Sequence, residues 1–162
     1  MSRPLFYAIL ACAIAAAGEA VFMGKDGSRF MNSLKQPAFA LPLWAWSLIG
    51  VAYYAICFLA MYRLTSRPSP DRVSIGLLIG LMAANTFWNF IYFRLRDLRL
   101  AFWYSAVYVL LAIALLVVLL KTDLVTALAF AAYVLYLPYA LLLFYRTWKL
   151  NVGPQHRRRM AP

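Results

Sequence analysis

The chain has 162 residues, of which 65% are hydrophobic and only 13% are charged, and its mean hydropathy is +0.75. A soluble domain is about 45–50% apolar and about 25% charged, so this composition excludes an ordinary water-soluble domain and indicates an integral membrane protein. The net charge of +11 comes from basic residues scattered over predicted helix ends and the carboxyl-terminal tail. Such scattering favours contact with anionic lipid headgroups over a nucleic-acid interface.

Five apolar runs have the length, about 20 residues, that an α-helix needs to cross a bilayer. They predict an all-α membrane protein with a single bundle of five transmembrane helices, at approximately residues 5–23, 42–63, 73–94, 100–120 and 124–150. Short connections follow the second, third and fourth spans, so consecutive helices are expected to be antiparallel neighbours. Residues 1–151 form the predicted membrane domain, and residues 152–162 are expected to be a basic, disordered cytoplasmic tail.

The distribution of basic residues predicts an orientation. Five spans place the termini on opposite sides, with five basic residues on the amino-terminal side and eleven on the other. The positive-inside rule then places the amino terminus outside and the carboxyl terminus in the cytoplasm.

Residues that could bind metal are few and dispersed. Cys12 and Cys57 fall inside predicted spans, and the single histidine, His156, is in the tail. Their spacing fits no zinc or haem attachment motif, and no Ser/His/Asp nucleophile set can be assembled. We therefore expect no metal site and no required cofactor.

The third span carries polar and aromatic residues on one helical face. At about 100° per residue, this face holds Asn85, Trp88, Asn89 and Tyr92. An unsatisfied amide costs several kcal/mol in hydrocarbon, so Asn85 is expected to find a partner in another helix, water or a ligand. Trp88 either packs within the bundle or stacks on a flat conjugated ligand.

The opposite face of the same span presents small residues at four-residue spacing, namely Gly76, Gly80 and Ala84. Such a stripe lets two helices approach closely. It predicts either a homodimer contact or close packing inside the monomer.

Glu19 is a carboxylate about one turn from the end of the first span. Ionisable residues at this depth are functional candidates by default. A structural interpretation is that Glu19 reaches the interface or pairs with Lys25 or Arg29. A catalytic interpretation is a membrane enzyme that uses Glu19 as general acid or base on a lipid or terpenoid substrate.

The loop at residues 24–41 mixes charged, aromatic, glycine and proline residues, and its length is typical of a lid. Its segment GSRFMNSLKQPAF, followed by Pro42 and Trp44, resembles the first-loop pattern W-Y-x-x-L-x-K-P-x-W-x-P-P-x-W of the translocator protein family, the tryptophan-rich sensory proteins (TspO/MBR). In the third span, NTFW followed by Tyr92 and Phe93 is similar to the family's N-x-x-W-x-x-x-F-F. In the last span, AYVLY occupies the place of P-Y-L-x-W. The resemblance covers approximately residues 24–151.

Three positions depart from the family pattern in its ligand pocket. Gly50 occupies the place of a second-helix tryptophan, Tyr136 that of a tryptophan and Phe144 that of an asparagine. These changes indicate a divergent member, with a ligand that differs from the family's.

The resemblance implies a cavity that opens toward the first loop and binds a porphyrin, a haem-like tetrapyrrole, a sterol or a synthetic aromatic compound. Such a protein would act in transport, sensing or regulation of tetrapyrrole metabolism, with porphyrin or haem as a ligand and not a required cofactor. The residues carried over by position are Asn85 and Trp88, with Ala20, Met23, Trp46, Ala140 and Leu143 as wall residues. Family members also dimerise through related helices.

The last span contains a second, weaker pattern. Leu143, Tyr145 and Lys149 fit the L/V-x-Y-x-K/R sequence proposed for sterol contact, which many membrane helices match by chance. A third class of function, a structural subunit that packs against a larger membrane complex through the glycine stripe, is also open.

Overall fold

The computed structural model describes residues 2–152, and helices account for all of the regular structure in that range. They are α1 (Arg3–Met23), α2 (Gly27–Ser33), α3 (Leu43–Thr65), α4 (Arg72–Asn89, extended by a π-helical segment Phe90–Leu95), α5 (Leu98–Thr122) and α6 (Leu124–Asn151). The predicted basic tail, including His156, lies outside the described residues.

Five of these helices are long and apolar enough to cross a membrane. The all-α membrane bundle predicted from the sequence is therefore confirmed. The first helix begins two residues before the predicted start, because Pro4 suits the first turn of a helix. The helix α2, inside the predicted lid loop, was not anticipated from the sequence.

The long helices form a closed ring. Helix α1 contacts α3 and α4, α4 contacts α5, α5 contacts α6, and α6 contacts α3. A large apolar core that includes Leu64, Leu78, Leu115 and Phe130 fills the end of the ring away from α2. A smaller cluster around Phe30 and Tyr92 lies beneath α2 at the other end.

Helices α1 and α4 approach each other closely at Gly18 on α1. A Cβ atom at this position would lie 2.7 Å from Cγ2 of Thr86 on α4. The Thr86 hydroxyl lies 3.1 Å from the carbonyl of Met82 on its own helix and 3.4 Å from that of Ala15 on α1, so its one proton is shared between α4 and α1. Only glycine allows α1 and α4 to lie this close, and the contact places the next residue, Glu19, beside α4.

The glycines of the α4 stripe behave differently. A Cβ atom at Gly76 or Gly80 would meet nothing within 4 Å. Neither glycine therefore mediates close packing inside the chain, and their side of α4 is open.

A polar cluster holds the core end of the bundle together. Asp123, between α5 and α6, accepts hydrogen bonds from Arg63 Nε at 2.8 Å and Nη2 at 2.9 Å, and from the Thr126 hydroxyl at 2.6 Å. Arg67 lies 3.7 Å from the same carboxylate. The Arg63 hydrogen bonds hold the pKa of Asp123 well below its usual range. This cluster joins the end of α3 to the turn between α5 and α6.

Replacing Gly18 tests the α1–α4 contact. We expect Gly18→Ala to lower stability by about 1–3 kcal/mol, the usual cost of overpacking, because Thr86 is β-branched and cannot swing away. Gly76→Ala is the matched control and should be neutral or slightly stabilising. Thermal unfolding in detergent, followed by circular dichroism, measures both, and equal midpoints would contradict the close approach.

The Asp123 cluster predicts a specific response to acid. A carboxyl whose pKa is depressed in the folded state contributes stability above its ordinary pKa, near 4, and loses that contribution as the pH falls further. Wild type should therefore be more stable than Asp123→Asn at pH 7, and the difference should shrink as the pH is lowered below about 4. Unfolding midpoints of the two proteins over this range measure it; a constant difference would refute the ion-pair explanation.

Candidate functional site

A cavity of about 390 Å³ lies inside the helix ring, between the large core and α2. This volume is within the range of about 300–1,000 Å³ that is typical of small-molecule sites. All five long helices and the first loop contribute to its walls. Of the residues expected to bind ligand, Asn85, Trp88, Trp46, Met23, Ala140 and Leu143 line the cavity. Ala20 does not line it and is exposed on α1.

Stacked aromatic rings form one wall. The Trp88 ring lies 4.7 Å from both Tyr92, at an interplanar angle of 16°, and Phe144, at 38°. Trp46 stacks against Phe144 at 6.4 Å and 22°. The Trp88 indole nitrogen donates to the Ser105 hydroxyl at 2.9 Å, which fixes the ring's orientation. Phe144, one of the departures from the family pattern, thus joins two tryptophans into a continuous aromatic surface.

Four tyrosines from three different helices line the part of the cavity nearest the large core. They are Tyr53, Tyr108, Tyr133 and Tyr136. The hydroxyls of Tyr108 and Tyr133 lie 2.8 Å apart, and the ring of Tyr53 packs 5.1 Å from that of Tyr133. This group was not predicted from the sequence, because the periodicity of one helix does not show which residues of α3, α5 and α6 meet. The signal in the sequence was the high tyrosine content of apolar spans.

Glu19 and Asn85 meet at the cavity surface. The Asn85 amide donates a hydrogen bond to Glu19 Oε1 at 2.7 Å. Its backbone carbonyl accepts a bond from the Asn89 amide at 3.0 Å. Of the partners that the sequence left open for Asn85, the structure shows another helix, α1.

The cavity lies beneath a lid that consists of α2 and the following segment to residue 41. Met31 of the lid lines the cavity. Asn151, at the end of α6, holds the lid through both backbone groups of Lys35: the Lys35 N–H donates to Asn151 Oδ1 at 3.0 Å, and Asn151 Nδ2 donates to the Lys35 carbonyl at 3.0 Å. The Tyr139 hydroxyl donates to the Phe39 carbonyl, also at 3.0 Å.

The residues of the sterol-contact pattern lie on two different surfaces. Leu143 faces the cavity. Tyr145 instead packs against Phe102 at 5.4 Å, and the Lys149 ammonium lies over the Trp148 ring at 4.6 Å. The three residues do not form one continuous contact surface.

The cavity walls supply aromatic faces, hydroxyls, amides and one carboxylate. Among residues 2–152, no three His, Cys, Asp or Glu side chains are grouped so that they could hold a metal ion. These groups are suited to stacking on an organic molecule and to hydrogen bonding with it, and Glu19 also keeps the acid–base interpretation of the sequence open.

Known proteins share sequence features with this chain. The model of the TspO/MBR family matches residues 8–149. The chain belongs to the TspO/MBR family. It is also similar to Protein CrtK of Rhodobacter capsulatus, with 27% identity over 157 residues that cover 94% of this chain and 96% of that protein. The family resemblance inferred from the first loop, α4 and α6 is confirmed, and the match also includes residues 8–23 of α1.

The two hydrogen bonds between Asn151 and Lys35 should slow local opening of the lid. Asn151→Ala removes both hydrogen bonds to Lys35, each of which contributes about 0.5–1.5 kcal/mol. Amide hydrogen exchange at residues 24–41 should become at least about fivefold faster, since local opening then costs less free energy. Leu150→Ala, at a neighbouring exposed position, is the control. Unchanged exchange in Asn151→Ala would show that other contacts hold the lid.

Proposed function

We propose that this protein is a membrane-embedded binder of a hydrophobic cyclic ligand, either a tetrapyrrole or a sterol-like compound. The observation that carries the proposal is the 390 Å³ cavity with the aromatic wall of Trp46, Phe144 and Trp88. Membership of the TspO/MBR family supports the same conclusion. The ligand would serve transport, sensing or regulation of tetrapyrrole metabolism.

The composition of the walls favours a flat, mostly apolar ligand. Small-molecule sites are lined mainly by hydrophobic and aromatic side chains, with a few polar groups that fix the ligand's orientation. Aromatic faces prefer offset stacking against another π system, which a conjugated macrocycle offers over its whole area. The Glu19–Asn85 pair and the tyrosine hydroxyls are the polar groups that would orient it.

The cavity has free space at the position of Gly50. This residue lines the cavity, and a Cβ atom there would meet nothing within 4 Å. The family pattern has a tryptophan at this place, so the present chain replaces an indole by volume that a ligand can occupy. This difference supports a ligand whose outline differs from that of the family's usual compounds.

The proposal also covers the orientation of the chain in the membrane and its assembly into a homodimer. The charge distribution supports a cytoplasmic carboxyl terminus, which would direct the lid and the adjacent cavity mouth to the cytoplasm. The open face around Gly76 and Gly80 is suited to a homodimer contact with the same face of a second copy.

Two glycines allow a matched test of cavity binding. Protoporphyrin IX should quench tryptophan fluorescence of the detergent-solubilised protein saturably. Gly50→Leu fills the cavity, and an overpacking cost of about 1–3 kcal/mol should weaken the affinity by about tenfold or more. Gly76→Leu adds the same side chain on the open face of α4 and should leave the affinity unchanged.

The same titration with a sterol distinguishes the two ligand classes, because a sterol that binds should displace the porphyrin. Quenching that does not saturate, or equal affinities in wild type and Gly50→Leu, would show that the porphyrin does not occupy the cavity. Absence of saturable binding by both compounds would refute the proposed function.

A further inference from the structure

We propose that Glu19 makes the cavity selective for aromatic ligands that carry a protonated amine, and unfavourable for ligands that place a carboxylate at the same end. This inference rests on the proposed function and adds a charge preference to it: a flat ligand that carries carboxylates, such as protoporphyrin IX, would have to direct them away from Glu19. It is supported by the charge of the cavity wall, by the lack of a basic partner for Glu19 in the described residues, and by the hydrogen bond that places Glu19 beside Asn85, one helical turn from Trp88.

Glu19 is the one charged side chain that lines the cavity within residues 2–152. Basic residues at the lid end are directed elsewhere. Arg94 donates to the Val21 carbonyl at 2.6 Å, Arg29 lies 3.8 Å from Asp26, and Arg96 lies over the ring of Phe30. The cavity therefore presents a negative group with no compensating positive group in its walls.

The carboxylate of Glu19 has unused capacity to accept hydrogen bonds. An ionised carboxylate offers about four lone-pair sites, and Asn85 occupies one of them. The buried Tyr54 hydroxyl makes no hydrogen bond within residues 2–152, so it does not occupy a second site on the Glu19 carboxylate. No Lys or Arg in the described part of the chain lies within 4 Å of Glu19. An ionised group at such depth is costly without a partner, so a ligand cation would supply what the protein lacks.

The position of Glu19 relative to the aromatic wall sets the form of the ligand. Asn85 and Trp88 are three residues apart on α4, a spacing that separates their Cβ atoms by about 5–6 Å. Because Glu19 is hydrogen-bonded to Asn85, a planar ring stacked at Trp88 would bring a short side arm to the carboxylate. An aminomethyl group on a polycyclic aromatic ring has this geometry.

If Glu19 had only a structural role, its negative charge would not be needed. If Glu19 only joined α1 to α4 through Asn85, an uncharged acceptor would serve equally, because the Asn85 amide needs only one oxygen. Glu19→Gln keeps that acceptor and removes the charge. It therefore separates the structural contact from the selectivity.

The test uses three fluorescent probes that share one ring system: 1-pyrenemethylamine, 1-pyrenemethanol and 1-pyrenecarboxylate. Energy transfer from tryptophan to pyrene reports binding at pH 7 in a nonionic detergent. For wild type we expect the order amine, alcohol, acid, with the amine at least about tenfold tighter than the acid, as charge-assisted hydrogen bonds predict. In Glu19→Gln the amine should lose its advantage over the alcohol, while the alcohol's affinity stays within about twofold.

Two controls assign the effect to the site. Asp26→Asn removes an exposed carboxylate near the lid, whose side chain is 70% exposed, and should keep the amine preference. Gly50→Leu should weaken binding of all three probes together.

The outcomes separate this inference from the function on which it rests. Alcohol binding that Gly50→Leu weakens, with equal affinities for the three probes, would overturn the role of Glu19 and support the cavity. An amine preference that persists in Glu19→Gln would also overturn it. If the pyrene probes, protoporphyrin and the sterol all fail to bind saturably, the proposed function fails and the selectivity fails with it.

Discussion

The close approach of α1 and α4 at Gly18 is the constraint on which the site depends. It leaves no room for a Cβ atom beside Thr86, and it sets the two helices so that Glu19 and Asn85 meet at 2.7 Å. In a low-dielectric bundle this hydrogen bond is worth more than in water, and an unpaired amide would be expensive. The same contact closes one side of the ring, so a single glycine influences both the shape of the cavity and its charge.

An empty interior needs support, because lining atoms without neighbours lose dispersion contacts. Polar contacts stabilise the bundle at both ends of the cavity. Asp123 fixes the core end through Arg63 and Thr126, while Asn151 holds the lid at the other. Between these ends, ring-to-ring packing and hydroxyl contacts stiffen the wall. The aqueous hydrophobic force that would drive collapse is weak between helices surrounded by lipid, which makes a hollow bundle easier to maintain there.

The sequence predicted features that belong to a single helix, such as its length and its polar face. It did not predict contacts between residues of different helices. Span lengths gave the five helices, and the helical period placed Asn85 and Trp88 on one face. It could not give the partner of Asn85, which is 66 residues away, nor the tyrosines of three helices. The rotation of about 100° per residue along a helix also explains why the prediction of Ala20 as a wall residue was wrong. Ala20 was carried over by family position, but the neighbouring residue on a helix points about 100° away, and it is Glu19 that lines the cavity.

The three departures from the family pattern, Gly50, Tyr136 and Phe144, all lie on the cavity wall. Gly50 leaves volume where the family has an indole, Tyr136 adds a hydroxyl, and Phe144 replaces an amide by a ring that packs between Trp46 and Trp88. Together they exchange two indoles and an amide for free volume, a phenol and a phenyl ring. If the proposed function is correct, Glu19 adds a preference for positive charge to a wall that favours flat molecules. The three departures would then change the ligand that the cavity accepts while the five-helix architecture stays the same.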